Sequence, residues 1–348
     1  MARYLLAAEA DKIQDLLFRS ARLREVVGGS QLLERFCKEV PRHLGLPRED
    51  TVVSGGGSFR FLFDSREVAV DFGERLAEVY RLATGGSLTV APPVEVRDPV
   101  GQHFGEASEK AQALLRQAKY RWRGREGRSE LLDPPDLWES QEHFPYIAFC
   151  SSCGVGLAVD YCSYHSDEPA TYRCRSCLNK GGEGRFDEDN EFLTAFYREV
   201  IEGADLDDYT WPGRSGKEPL EEVAAFDPRR YVGYLVADGN SMGEVFGRCT
   251  SPSQMRFLSS KLEAVIRRAL AEPTRLLMQN NPAEDRGNFI PVLPLILGGD
   301  DVFVLLPAPW ALDFARRFCQ AYEAEMEGVL REKGLDRGPR PTVSAAVV

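Results

Sequence analysis

Two adjacent carboxylates at the tip of a glycine turn are the residues of this chain best placed to do chemistry. The apolar run Pro294-Leu295-Ile296-Leu297 breaks at Gly298-Gly299-Asp300-Asp301 and resumes as Val302-Phe303-Val304-Leu305-Leu306. Two strands joined by such a turn form a hairpin that projects both acids at its end. Carboxylates beside apolar strands are costly unless water or a cation meets them. A pair held this way suits Mg2+ or Mn2+, hard cations that can hold a nucleoside triphosphate against it. Gly-Gly-Asp also occurs in turns that do nothing, so the hairpin needs a further acid beside it.

That acid stands upstream. Tyr231-Val232-Gly233-Tyr234-Leu235-Val236-Ala237 reads as a buried strand delivering Asp238 ahead of Gly239-Asn240-Ser241-Met242-Gly243. The glycine-bounded turn is expected to open a helix whose N–H groups face phosphates. Met255, Leu258, Leu262, Val265, Ile266 and Leu270 form an apolar stripe at helical spacing over 253–271. Phe314, Phe318, Tyr322 and Met326 do the same over 311–330, and 341–348 reads as a closing strand. The order βαββαβ is the ferredoxin-like arrangement, an antiparallel sheet with helices on one face. Its first strand and its hairpin are central neighbours, which sets Asp238 beside Asp300 and Asp301. Three converging carboxylates repel unless a divalent ion joins them. The alternative is three separately solvated turn residues.

The first half repeats this pattern without the acids. Tyr4–Ala8 is a strand, 11–44 is helical, and 51–63 is a hairpin around Gly55-Gly56-Gly57-Ser58. Val70, Phe72, Leu76 and Tyr80 mark a helix over 68–82, and 87–96 alternates as a strand. Gly57 and Ser58 match Asp300 and Asp301 in position. This unit can cradle phosphates with backbone N–H groups but is not expected to be the metal centre. Glu9 and Asp11 read as helix-start acids. Residues 119–128, with Lys119, Arg121, Trp122 and Arg125, form the one basic aromatic segment and suit a solvated helix end better than a single-strand groove. Proline- and acid-rich 131–145 and 203–227 read as linkers.

Cys150-Ser-Ser-Cys153 and Cys174-Arg-Ser-Cys177 carry the spacing of a structural zinc ribbon, four thiolates closing a tetrahedron with no open position. Cys162 and His165 read as bystanders, and Cys37, Cys249 and Cys319 as small apolar residues.

The strand–Asp-Gly–helix unit, the Gly-Gly-Asp-Asp hairpin and the front segments Ala10–Phe18 and Arg19–Leu33 together resemble the polymerase-like large subunit of type III CRISPR systems. That family is related to GGDEF nucleotidyl cyclases. The resemblance implies an α+β protein with two ferredoxin-like (βαββαβ) palms and a zinc-ribbon insert: a first palm over 1–130, the insert over 146–202, and a metal-bearing palm over 228–348. It implies ATP as substrate, cyclic oligoadenylate as product, and magnesium held by Asp238, Asp300, Asp301 and the Gly239 carbonyl. Gly239–Gly243, Gly298 and Gly299 would bind the substrate nucleotide, and Gly55–Ser58 with Ser30 the acceptor. Other effector subunits and guide or target RNA are the implied partners, with a homodimer left open. A GTP-using cyclase and an idle scaffold subunit are the rival readings. Intact acids argue against the scaffold.

Several features depart from that family. Many members carry a second Asp where this chain has Asn240. No His-Asp nuclease pair precedes the first palm, and only four histidines occur in 348 residues. The chain closes on an apolar strand, as a fragment or a compact variant would. No apolar run reaches membrane length and no signal-peptide pattern leads the chain, so a cytosolic protein is expected. A net charge of −11 argues against a nucleic-acid glove over the whole surface.

Overall fold

The computed structural model describes residues 3–97, 102–125 (side chains of 103–120), 148–164, 168–279 and 288–348. The first palm runs β1 (Arg3–Ala10), α1 (Ile13–Leu17), α2 (Leu23–His43), β2 (Thr51–Gly55), β3 (Ser58–Phe63), α3 (Arg66–Thr84), β4 (Leu88–Val90) and β5 (Val94–Val96), followed by α4 (Gln102–Arg125). Its sheet has the order β2-β3-β1-β4, with β5 also pairing with β1. Alternation along β3 drives Phe59, Phe61 and Phe63 into a core with Phe36, Phe72 and Tyr80. The expected strand over 87–96 is split because Pro92 and Pro93 cannot donate to a ladder. The expected helix over 11–44 is two helices, broken between Phe18 and Arg22.

The insert holds β6 (Asp160–Cys162), β7 (Thr171–Arg173), α5 (Arg175–Glu183) and α6 (Glu191–Ile201), and α7 (Pro219–Ala224) leads to the second palm. The stretch 203–227 is packed rather than a free linker. Trp211 is fully buried, stacks on Tyr197 at 4.5 Å and lies under the Arg214 guanidinium. Segment 131–145 and His165 lie outside the described residues, as do the side chains of 121–128.

The second palm comprises β8 (Val232–Asn240), α8 (Met242–Gly247), α9 (Pro252–Gln279), β9 (Leu293–Gly298), β10 (Asp301–Pro307), α10 (Ala311–Glu332) and β11 (Thr342–Val347). Its order, β11-β8-β10-β9, is the ferredoxin-like one, and the first palm repeats it. Every residue of the two apolar stripes read from 253–271 and 311–330 is buried. One apolar cluster continues from Leu5, Ala7 and Leu62 through Phe104 and Leu115 into α6, α9 and the second sheet. No described helix is long and apolar enough to cross a membrane.

The insert is fastened to the first palm by charge. Glu25 of α2 and Arg173 of β7 are both fully buried, with 2.6 Å between Oε1 and Nη1. Ser152 and Tyr164 donate to the same carboxylate oxygen at 2.8 and 3.0 Å, and the guanidinium covers the Tyr164 ring. Lys180 of α5, also buried, donates to the Leu16 carbonyl at the end of α1. Removing one member of a buried pair leaves the other charge stranded. Glu25→Gln is therefore expected to cost about 3 kcal/mol of folding stability. Chemical denaturation with an unchanged slope would report that loss.

Candidate active site

β8 and β10 pair antiparallel with Asp238 directly opposite Asp301. Directly opposite residues project from the same face, so these two carboxylates are neighbours. Asp300 occupies the turn itself, and its carbonyl accepts from the Gly239 N–H at 3.1 Å. A Cβ at position 239 would stand 2.8 Å from the Asp300 Cβ and 3.0 Å from the Tyr322 hydroxyl. Glycine after Asp238 is therefore what lets the hairpin tip fold back over the strand.

Burial, followed by the Asp238 charge, pushes the Asp300 carboxyl up to about 6. The same two causes raise Asp301, while a hydrogen bond from Gln14 Nε2 at 3.3 Å opposes them. The three acids share a field without forming a closed cage. Among the described residues, only the four cysteines bring three or more ligand atoms within 4.8 Å of one another. Asp300, in the turn, lies toward Gly239, and alternation along β8 turns Asp238 to the opposite, exposed side. Oxygen donors, with Asp300 and Asp301 raised in pKa, fit a hard divalent cation that would offset their repulsion.

Asp300 and Asp301 open onto a cavity of about 910 Å3 between the palms. The second palm contributes Ser241, Met242, Gly243 and Gly299, and the first contributes Gly55, Gly56, Ser58 and Arg60. The two hairpin tips touch there. Gly56 and Gly299 both have left-handed φ values (55° and 65°), and a Cβ on Gly56 would lie 2.5 Å from the Gly299 nitrogen.

Several expectations need correction. Strand β8 runs through Asn240, so the reversal occurs at Ser241 (φ 61°) and not across 239–243. The helix it opens is only six residues long. The Asn240 amide is engaged by Thr342 and Ser344 of β11 at 2.9 and 3.0 Å and does not line the cavity. Gly57 packs against Ala10 and Ile13 instead. Ser30 donates to the Leu295 carbonyl at 2.5 Å, so its hydroxyl ties α2 to β9. Together with Gly298, Ser30 faces a smaller cavity. Glu9 is no helix-start residue. It lies in β1 opposite Ser58, the place that Asp238 holds opposite Asp301, and Lys119 pairs with it at 2.7 Å. Asp11 accepts from Ser87 and Thr89. Sequence reasoning missed Gln14, Arg60 and Glu263 at this site. Glu263 of α9 faces Gly55, and burial with Glu34 nearby raises its pKa.

Cys150, Cys153, Cys174 and Cys177 form the second centre, and Cys162 is not among them. The Sγ atoms of Cys153 and Cys174 are 3.8 Å apart, the edge of a tetrahedron with Zn–S bonds of about 2.3 Å. Burial, then Glu25, raises the Cys177 thiol, so zinc would displace a proton there.

Residues 231–348 match the family model for the second palm domain of Cas10/Cmr2. No curated protein sequence matches the chain. Among solved structures the fold is similar to Csm1-Csm4 cassettes. One in complex with pppApApA gives a TM-score of 0.59 at 17% identity, over 99% of this chain and 49% of that one. One with AMPPNP gives 0.58 at 18% over 99% and 49%, and one with a single ATP gives 0.56 at 17% over 99% and 50%. The present chain thus spans about half the length of those chains. It is Cas10-like in its rear palm and in its fold, in agreement with the resemblance read from the sequence.

Two measurements follow from the two centres. In the metal-free protein the Asp300 contribution to stability is present below about pH 3.8 and is lost as pH rises through about 6. Asp300→Asn should therefore stabilise the metal-free protein at pH 8 by about 2 kcal/mol and hardly at all near pH 4. Thermal melts with and without Mg2+ check this, and the Mg2+-dependent rise of the wild type should be absent from the variant. Cys150→Ser should lower bound zinc from one per chain to near none by elemental analysis.

Proposed function

We propose that the chain is a metal-dependent nucleotidyltransferase that joins ATP into cyclic oligoadenylate-type second messengers in CRISPR-linked antiviral defence. The observation that carries this reading is the pairing of Asp238 with Asp301, with Asp300 turned into a nucleotide-sized cavity between two palms. The rear-palm match and the Csm1 structures solved with ATP, pppApA and cA4 support the same chemistry.

Asp238, Asp300, Asp301 and the Gly239 carbonyl would hold Mg2+ or Mn2+. When bound, that metal lowers the pKa of an attacking 3′-hydroxyl and offsets charge on leaving pyrophosphate. Gln14, donating to Asp301, fixes one oxygen of that carboxylate. Ser241, Met242 and Gly243 line the wall beside the acids, and the side-chain-free tips Gly55-Gly56 and Gly298-Gly299 let two nucleotides approach closely. Ser58, standing where the rear palm has Asp301, leaves the front palm without a metal-holding hairpin acid. The front palm then serves as the acceptor side. A Csm4-like subunit is the corresponding partner, and the cytoplasm the corresponding compartment.

The test is incubation of the chain, alone and with its partner subunit, with each labelled NTP and Mg2+ or Mn2+. ATP-derived cyclic products are expected from the wild type. Combining Asp300→Ala with Asp301→Ala should reduce them by at least about 100-fold. Unchanged product from the double variant would refute the site, and consumption of GTP alone would refute the base.

A further inference from the structure

The two palms place opposite charges at matching positions. β3 meets β1 as β10 meets β8, so Glu9–Ser58 corresponds to Asp238–Asp301. Two residues along, Arg60 stands where the rear palm has Phe303. Alternation sends Phe59 and Phe61 into the first-palm core and leaves Ser58 and Arg60 on the cavity face.

Arg60 is only 9% exposed, yet its known partners are neutral. Its guanidinium donates to the Phe59 carbonyl at 3.0 Å and to the Gln112 side-chain oxygen of α4. Among the described residues no carboxylate closes an ion pair with it. The acid whose charge acts on it is Glu9, which Lys119 already engages. Burial lowers the Arg60 pKa, but a guanidinium stays protonated at any working pH. A buried cation without a counter-ion is costly unless a ligand supplies the anion. One helical turn beyond Gln112, Arg116 adds a second guanidinium to the same wall. Guanidinium groups match phosphate oxygens in a fork geometry that needs no bridging metal.

We infer that the front palm binds the 5′-triphosphate of a nucleotide or short oligonucleotide directly through Arg60, without a divalent cation, with Arg116 assisting. The inference rests on the cavity being a nucleotide site. It makes the two halves of that site different in kind. The rear palm, being anionic, accepts a phosphate chain only through magnesium, whereas the front palm accepts it by charge alone. The ligand is anionic in both cases; only the receptor changes sign.

Equilibrium binding of ATP to the full chain, measured in EDTA and in Mg2+, tests this. The wild type should retain one component in EDTA, and inorganic tripolyphosphate should displace it. Arg60→Gln should weaken that component by at least about tenfold while leaving the Mg2+-dependent one in place. Arg60→Lys, which keeps the charge, should lose less. Combining Asp300→Ala with Asp301→Ala should give the reverse pattern. Wild type that binds no ATP in EDTA, or Arg60→Gln that binds it undiminished, would overturn the inference and leave the catalytic assignment standing. Wild type that shows no Mg2+-dependent component, or the double aspartate variant that keeps it, would fault the catalytic assignment and leave Arg60 standing. Should Arg60→Gln fail to fold, the tripolyphosphate competition on wild type decides: displacement supports the inference, and none overturns it.

Discussion

The two palms meet backbone to backbone. Gly56 and Gly299, each in a left-handed conformation, bring their hairpin tips so close that a Cβ on Gly56 would clash with the opposing backbone, 2.5 Å from the Gly299 nitrogen. This contact fixes where the cavity lies, which faces of the two sheets border it, and how far the Asp300-Asp301 turn stands from the Arg60 wall. Ser30 reinforces it behind the tips by tying α2 to β9. The Phe18 ring reinforces it on the far side by lying 4.7 Å from the Phe303 ring. The site is thus a property of the pair of palms. Each palm alone presents only half a cleft.

Much of the rear palm was legible because its signals are local. Apolar stripes at helical spacing, a long apolar strand and a glycine hairpin each depend on neighbours in sequence, and all lie where the pattern put them, except that Tyr231 is exposed ahead of β8. The end of β8 was less legible. Asp-Gly-Asn suggested a turn, yet ladder bonds to β10 and β11 hold the strand straight through Asn240, a tertiary effect that propensity does not carry. Asn240 looked like a ligand-facing amide for the same reason, and β11 engages it instead. Glu9 was misread because its significance lies in register. The signal was available, since it stands near the end of β1 as Asp238 stands near the end of β8. Arg60 had no motif at all. An arginine amid phenylalanines shows its role only once alternation separates it from them and α4 closes over it.

The duplicated fold therefore serves two electrostatic tasks. In the rear copy, desolvation raises acids that a cation can reclaim. In the front copy, Lys119 already engages the corresponding acid, and a guanidinium faces the space instead. Similar backbones carry these opposite environments because a strand face changes character when one or two side chains change. The insert stands apart from that division. It grips the first palm through Glu25–Arg173 and caps α1 through Lys180, the helix that carries Gln14 toward Asp301.

The glycine tips also restrict how such a duplicated protein can drift. A copy whose hairpin lacks the acids is ordinarily free to accumulate substitutions at that hairpin. Here the acid-free hairpin keeps a geometric duty: a methyl group at position 56 would wedge the halves apart and distort the acid-bearing tip. The front half is thereby policed by shape rather than by chemistry.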